Sequence, residues 1–117
     1  MSLLTGMLFL DYASDEEEAH YEAKVLRAVL GPDELVLEFT GNDPDDGPYQ
    51  GTCKLARSGA MFEGFGEFET GSGKTTAAVR VTCEVEDSND LFLSGSWTEA
   101  GDSDSYVLQI DLQHCVA

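Results

Sequence analysis

From residue 34 onward apolar and polar side chains alternate with a period of two, the signature of strands with one face in a core and the other in water. In TAAVRVTCEVED, Val79, Val81, Cys83 and Val85 fall on one side, and Arg80, Thr82, Glu84 and Glu86 on the other. The same rule groups Leu35, Leu37 and Phe39 in ELVLEF, and Tyr49, Gly51, Cys53 and Leu55 in YQGTCKLAR. It also groups Leu91, Leu93, Gly95 and Trp97 in DLFLSGSW, and Tyr106, Leu108, Ile110 and Leu112 in YVLQIDLQ. In MFEGFGEFE the charged Glu63, Glu67 and Glu69 share the wet face, which leaves Phe62, Gly64, Gly66 and Phe68 inward. Short runs of turn formers (GPDE, GNDPDDGP, RSG, TGSGK, DSND, AGDSD) separate these segments, and short links predict antiparallel neighbours.

The first thirty residues are ambiguous. MLFLDY reads as a strand, but residues 15–30 read two ways. Ser14 and Glu17 make a capping box and Gly31-Pro32 a stop, which predicts a helix. Tyr21, Ala23, Val25 and Val29 instead fit period two, with a hairpin about Gly31 to Glu34. The expected fold is mainly β: six to eight strands in an antiparallel up-and-down meander closing into a small barrel. With the helical reading, a curved antiparallel sheet packs on one N-terminal helix over residues 15–30. In strand number the layout resembles calycin and avidin-like barrels, although it carries no motif of either family. A chain of 117 residues holds one core, so residues 1–117 are expected to form a single domain.

Charge changes the picture more than composition does. Six Lys and Arg stand against 23 Asp and Glu, a formal net charge of −17. Such a surface repels nucleic acid and anionic membranes and attracts basic proteins or cationic ligands. Self-repulsion of this size also opposes compaction, so moderate salt is expected to raise the melting temperature; an unchanged transition between dilute and moderately salted buffer would contradict it. Cys53, Cys83 and Cys115 show no CxxC spacing, which fits a reducing compartment and a cytoplasmic location. No signal-peptide pattern or long apolar span is present.

TGSGKTT, residues 70 to 76, ends like a phosphate-binding loop. The leading glycine of that motif, however, falls on Phe68, and the residues after Lys74 alternate as a strand rather than open a helix. Gly71 and Gly73 therefore read as hairpin-turn glycines with positive φ. GNDPDDG lacks the calcium-loop spacing, since Cys53 occupies the position of the bidentate Glu. His20 and His114 have no partners at ligand spacing, and Cys53 and Cys83 fall on core faces. No catalytic set, metal site or cofactor is expected, and the chain is read as non-enzymatic.

Two features carry functional expectations. Inward glycines sit beside large rings, which predicts either strand bending or a pocket for a small apolar ligand at Tyr49, Phe62, Gly64, Gly66, Trp97 and Tyr106. In an up-and-down meander alternate turns share an end. One end then collects Asp15, Glu16, Glu17, Glu18, Asp43, Asp45, Asp46, Asp102 and Asp104 against Lys74. The leading expectation is an acidic binding domain that engages a basic protein surface through this end, as an inhibitor or immunity protein would. The alternative is a small barrel holding a hydrophobic ligand. Outward Phe65, Phe92, Val36 and Val107 add a homo-oligomer to the expected partners, should they be contiguous.

Overall fold

The computed structural model describes residues 2–13, 18–43, 47–71, 73–87, 89–101 and 105–114. Eight strands run in chain order: β1 (Ser2–Ala13), β2 (Glu18–Leu30), β3 (Glu34–Asp43), β4 (Gly47–Ser58), β5 (Met61–Thr70), β6 (Gly73–Glu86), β7 (Asp90–Glu99) and β8 (Tyr106–His114). Each pairs antiparallel with the next, and β1 pairs with β8 to close the barrel. Closure leaves no edge strand to template aggregation. The described residues contain no helix, and so none long and apolar enough to cross a membrane.

Residues 18–30 are a strand, and the helical alternative is thereby corrected. Its source is visible in the register. Val25 pairs with Phe39 and Arg27 with Glu38, so Leu26 is an extra residue in the β2–β3 ladder. Leu26, 52% exposed, and Arg27 therefore both face outward, and the phase flips beyond them. Ala28, not Val29, is then fully buried, and the inward pair Val25 and Ala28 stand three apart as on a helix. A second bulge between Cys83 and Val85 turns Val85 outward against Phe92, correcting its inward assignment.

Elsewhere the alternation predicted from sequence holds. Leu35, Leu37, Phe39, Cys53, Leu55, Phe62, Val79, Val81, Leu91, Leu93, Trp97, Leu108, Ile110 and Leu112 form one core with Leu4, Leu8 and their neighbours, and no charged residue is buried among them. The turn at TGSGKTT is a tight hairpin, since Thr70 pairs directly with Gly73 and β6 continues as a strand through Glu86. Gly73 takes φ +140°, while Gly71 needs no positive φ, which narrows the expectation to one glycine. The β6–β7 turn is held by Asp87, whose carboxylate accepts the backbone N–H groups of Asn89 and Asp90 at 2.8 Å each. Those two bonds hold its pKa below the ordinary value.

Gly95 and Gly64 explain how eight strands wrap so small a core. A Cβ on Gly95 would collide with the carbonyl oxygen of Arg80 on β6, and one on Gly64 with that of Lys54 on β4. The neighbouring strand folds over at those points until its backbone occupies the space of a side chain. The bending role expected of inward glycines is the one seen here.

Candidate functional site

Because strand direction alternates, β1, β3, β5 and β7 end, and β2, β4, β6 and β8 begin, at the same mouth of the barrel. At the opposite end the interior is filled. Leu4, Leu35, Leu55, Phe62, Leu91 and Leu112 are all within 1% of full burial. Arg57 caps this plug: its guanidinium lies 5.1 Å from the Phe62 ring centroid and binds Glu86 with N–O distances of 2.7 and 3.3 Å.

The mouth shared by the odd-strand ends is a cup. It encloses about 340 Å³ and is walled by Leu8, Leu10, Tyr21, Phe39, Tyr49, Phe68, Trp97 and Tyr106, with Thr70, Gly73, Lys74, Thr75 and Glu99 completing its lining. The inward positions of this half carry rings where those of the other half carry leucines, so the ends differ although the strands repeat. Phe39 stands edge-on to Trp97 at 6.2 Å, Phe68 lies tilted to Trp97 at 6.0 Å, and Tyr49 meets Phe68 edge-on at 6.1 Å. Opposite them Tyr106 contacts Tyr21 at 6.1 Å and Tyr12 at 5.3 Å. Such edge and tilted pairs fix the rings against the wall and against one another.

Two glycines seat the rings. Gly66 faces the benzo edge of Trp97, where a Cβ would stand 2.6 Å from Cζ3 and 3.0 Å from the Cys53 sulfur. Gly41 yields the space crossed by the Tyr49 ring, whose hydroxyl then donates to the Glu22 carbonyl at 3.2 Å. Thr40 holds the same segment by donating to the Tyr49 carbonyl at 3.0 Å.

Trp97 is fully buried, yet its indole Nε1–H finds no acceptor among the described residues. Nε1 lies on the side of the indole away from the edge that meets Gly66. A buried donor left unpaired costs about 1–3 kcal/mol. Cys53, by contrast, is an inert core group: burial pushes its pKa up to about 12.

Of the residues expected to line a pocket, Tyr49, Trp97 and Tyr106 come together in the cup. Phe62, Gly64 and Gly66 do not line it. Phe62 belongs to the opposite plug, Gly64 faces backbone, and Gly66 is covered by Trp97. Phe39, Phe68, Leu8, Leu10 and Tyr21 complete the wall and were missed as site residues. The signal for them was present, since each is an inward position close to an odd-strand end or an even-strand start. Of the acidic residues assigned to a basic partner, Glu18 is exposed at the start of β2 and Asp43 ends β3. Asp15, Glu16, Glu17, Asp45, Asp46, Asp102 and Asp104 lie outside the described residues. The outward apolar residues do not gather: Val36 and Phe65 flank Lys54, Phe92 pairs with Val85, and Val107 pairs with Ser96.

Among the described residues no three His, Cys, Asp or Glu side chains come together as a metal site. His20 is the centre of a hydrogen-bonded cluster on the outer face of β1 and β2. Its Nδ1 meets the Asp11 carboxylate, its Nε2 lies 3.1 Å from Glu22, and Phe9 stacks at 6.4 Å. The hydrogen bond to Asp11 chiefly, then that to Glu22, raises its pKa above the ordinary 6.5. The contribution to stability is therefore fully present below the unfolded value and fades as pH rises through the folded one. An NMR titration should place His20 above 6.5, and Asp11→Asn should lower it; a midpoint that Asp11→Asn leaves unmoved would refute the coupling.

No family model and no curated protein matches the sequence. Solved structures do share the fold. A redesigned β-barrel superposes with a TM-score of 0.56 at 15% identity, over 95% of this chain and 90% of that one. A de novo designed fluorescence-activating β-barrel superposes with a TM-score of 0.51 at 17% identity, over 94% and 92% respectively. At these identities the likeness is one of fold: the chain is an all-β, closed, eight-stranded antiparallel meander barrel similar to designed β-barrels.

Proposed function

We propose that the protein binds a small, ring-bearing apolar ligand in the aromatic cup. The observation that carries this reading is the asymmetry of the interior: one end is filled with leucines and Phe62, while the other holds about 340 Å³ between aromatic walls. That volume is at the small end of the ~300–1,000 Å³ typical of ligand sites. Packing alone does not call for such a space, because interiors close to crystal density where side chains are free to fill them. One barrel of similar fold is a de novo design described as fluorescence-activating.

The test uses the chain's single tryptophan. Naphthalene titrated into the protein should change Trp97 emission and saturate at one equivalent. Thr75, half-buried in the lining, offers a blocking variant, and Thr75→Phe should abolish uptake while leaving the fold intact. A wild-type chain that takes up no aromatic probe would sink the reading.

Capture of a basic protein surface is the second reading. It is favoured by the net charge of −17 together with a topology that gathers the ends of β1, β3 and β7 at one mouth. Partner capture on that basis weakens steeply with salt.

A further inference from the structure

We infer that Gly66 sets the depth of the cup, and with it the size of ring the cup admits, by seating the Trp97 indole against β5 as the cup's floor. The inference rests on the ligand-binding reading and adds the residue that selects among ligands at that site.

Trp97 is the largest of the fully buried side chains and springs from β7, where the inward residues below it, Leu93 and Leu91, belong to the filled interior. Its ring centroid lies 6.2 Å from that of Phe39 on β3. In a closed ring of eight strands β3 and β7 stand on opposite sides, so this edge-on contact crosses the bore. The two rings therefore bridge the interior between the plug and the cup.

The wall that receives the indole is built of small residues. Gly66 of β5 pairs with Cys53 on β4 and with Ala77 on β6, so three neighbouring strands present a thiol, a hydrogen and a methyl at one level. A large ring set against such a hollow is how an interior keeps its density.

The hydrogen at Gly66 is the element that leaves no margin. A Cβ there would stand 2.6 Å from Cζ3 and 2.8 Å from Cη2 of Trp97. These are side-chain atoms, whereas at Gly95 and Gly64 a Cβ meets backbone. Gly66 also takes no positive φ, so an alanine is not strained there. An added methyl group therefore displaces the ring and leaves the ladder paired. The leucine-filled end offers no room, and the free space that Trp97 borders is the cup. The indole moves into it, and the volume left for a ligand falls.

A double-mutant cycle tests this, because Trp97→Phe shortens the ring that Gly66 seats. Gly66→Ala should weaken naphthalene binding about tenfold or more, as a misplaced methyl group does in an apolar pocket. In the Trp97→Phe background the same change should weaken it less than about threefold. Calorimetry reads all four chains, so loss of the tryptophan does not blind the measurement. A second readout needs no ligand: Trp97, fully buried in the parent, should be quenched by acrylamide several-fold more efficiently in Gly66→Ala, since the displaced indole then stands in the open cup.

Equal naphthalene affinity in the parent and Gly66→Ala, or the same loss in both backgrounds, would overturn the assignment while leaving a ligand-binding cup in place. A parent that takes up no naphthalene would remove the cup reading, whereas the seat of the indole stands or falls by the quenching: unchanged accessibility in Gly66→Ala overturns it. Should Gly66→Ala not fold, the cycle is read in urea. A loss of stability relieved in the Trp97→Phe background supports the contact, and an equal loss in both backgrounds overturns it.

Discussion

Gly95→Ala is expected to destabilise the barrel by about 3 kcal/mol or more, far beyond what one methyl group does on an ordinary strand. Gly95 pairs with Val81 of β6 and Leu108 of β8 in the middle of both ladders. The added Cβ would collide with the Arg80 carbonyl oxygen and stand 2.7 Å from Val81 Cα. Both are backbone atoms. A flexible side-chain end would swing aside, whereas these move only if the β6–β7 ladder opens and forfeits hydrogen bonds. Gly71→Ala is the matched control, since nothing lies within 4 Å of its added Cβ. Its effect should stay within ~0.5 kcal/mol. Urea unfolding of the two variants decides the matter: if Gly95→Ala proves as stable as Gly71→Ala, the close approach of β6 to β7 at this point is wrong.

Phe62→Ala should cost a further class of stability, about 3–5 kcal/mol, through lost burial and an unfilled void. Phe62 is completely buried in the plug and lies under the Arg57 guanidinium, which is itself held by Glu86. Truncation removes the ring and the cation–π contact together, and Val81, its partner on β6, cannot collapse into the space without bending paired strands. For a domain of this size the melting temperature should fall by roughly 10–20 °C. Ligand uptake at the other mouth should survive in the folded fraction, because Phe62 takes no part in the cup lining. A variant that melts like the parent would show that the plug is not well packed. One that folds but loses uptake would show that the two ends are coupled.

Both predictions depend on knowing which inward residues meet, and the sequence went only part of the way to that knowledge. It assigned Phe62 and Trp97 to the same interior, rightly. It also assigned them to one pocket, which the structure corrects by placing Phe62 in the plug and Trp97 in the cup. The separation is a matter of strand direction: Phe62 follows a turn at one end, and Trp97 precedes a turn at the other. Gly66 was legible as an inward glycine but not as the seat of an indole, since its neighbour in space is thirty-one residues away in sequence.

What the sequence determined by itself was local. Alternation of side chains identified the strands from Glu34 to His114 and, apart from Val85 beyond its bulge, their inward faces, because the two-residue repeat of an extended backbone writes itself directly into the order of residues. Turn formers identified TGSGKTT as a hairpin for the same reason. Tertiary structure decided what depends on partners. It paired β1 with β8 to close the barrel, and it absorbed Leu26 as a bulge, so that a spacing suited to a helix serves a strand. It also set leucines against leucines at one mouth and rings against rings at the other. Each of these outcomes is settled by which chains lie side by side and how much space they leave, and neither quantity is a property of any short segment.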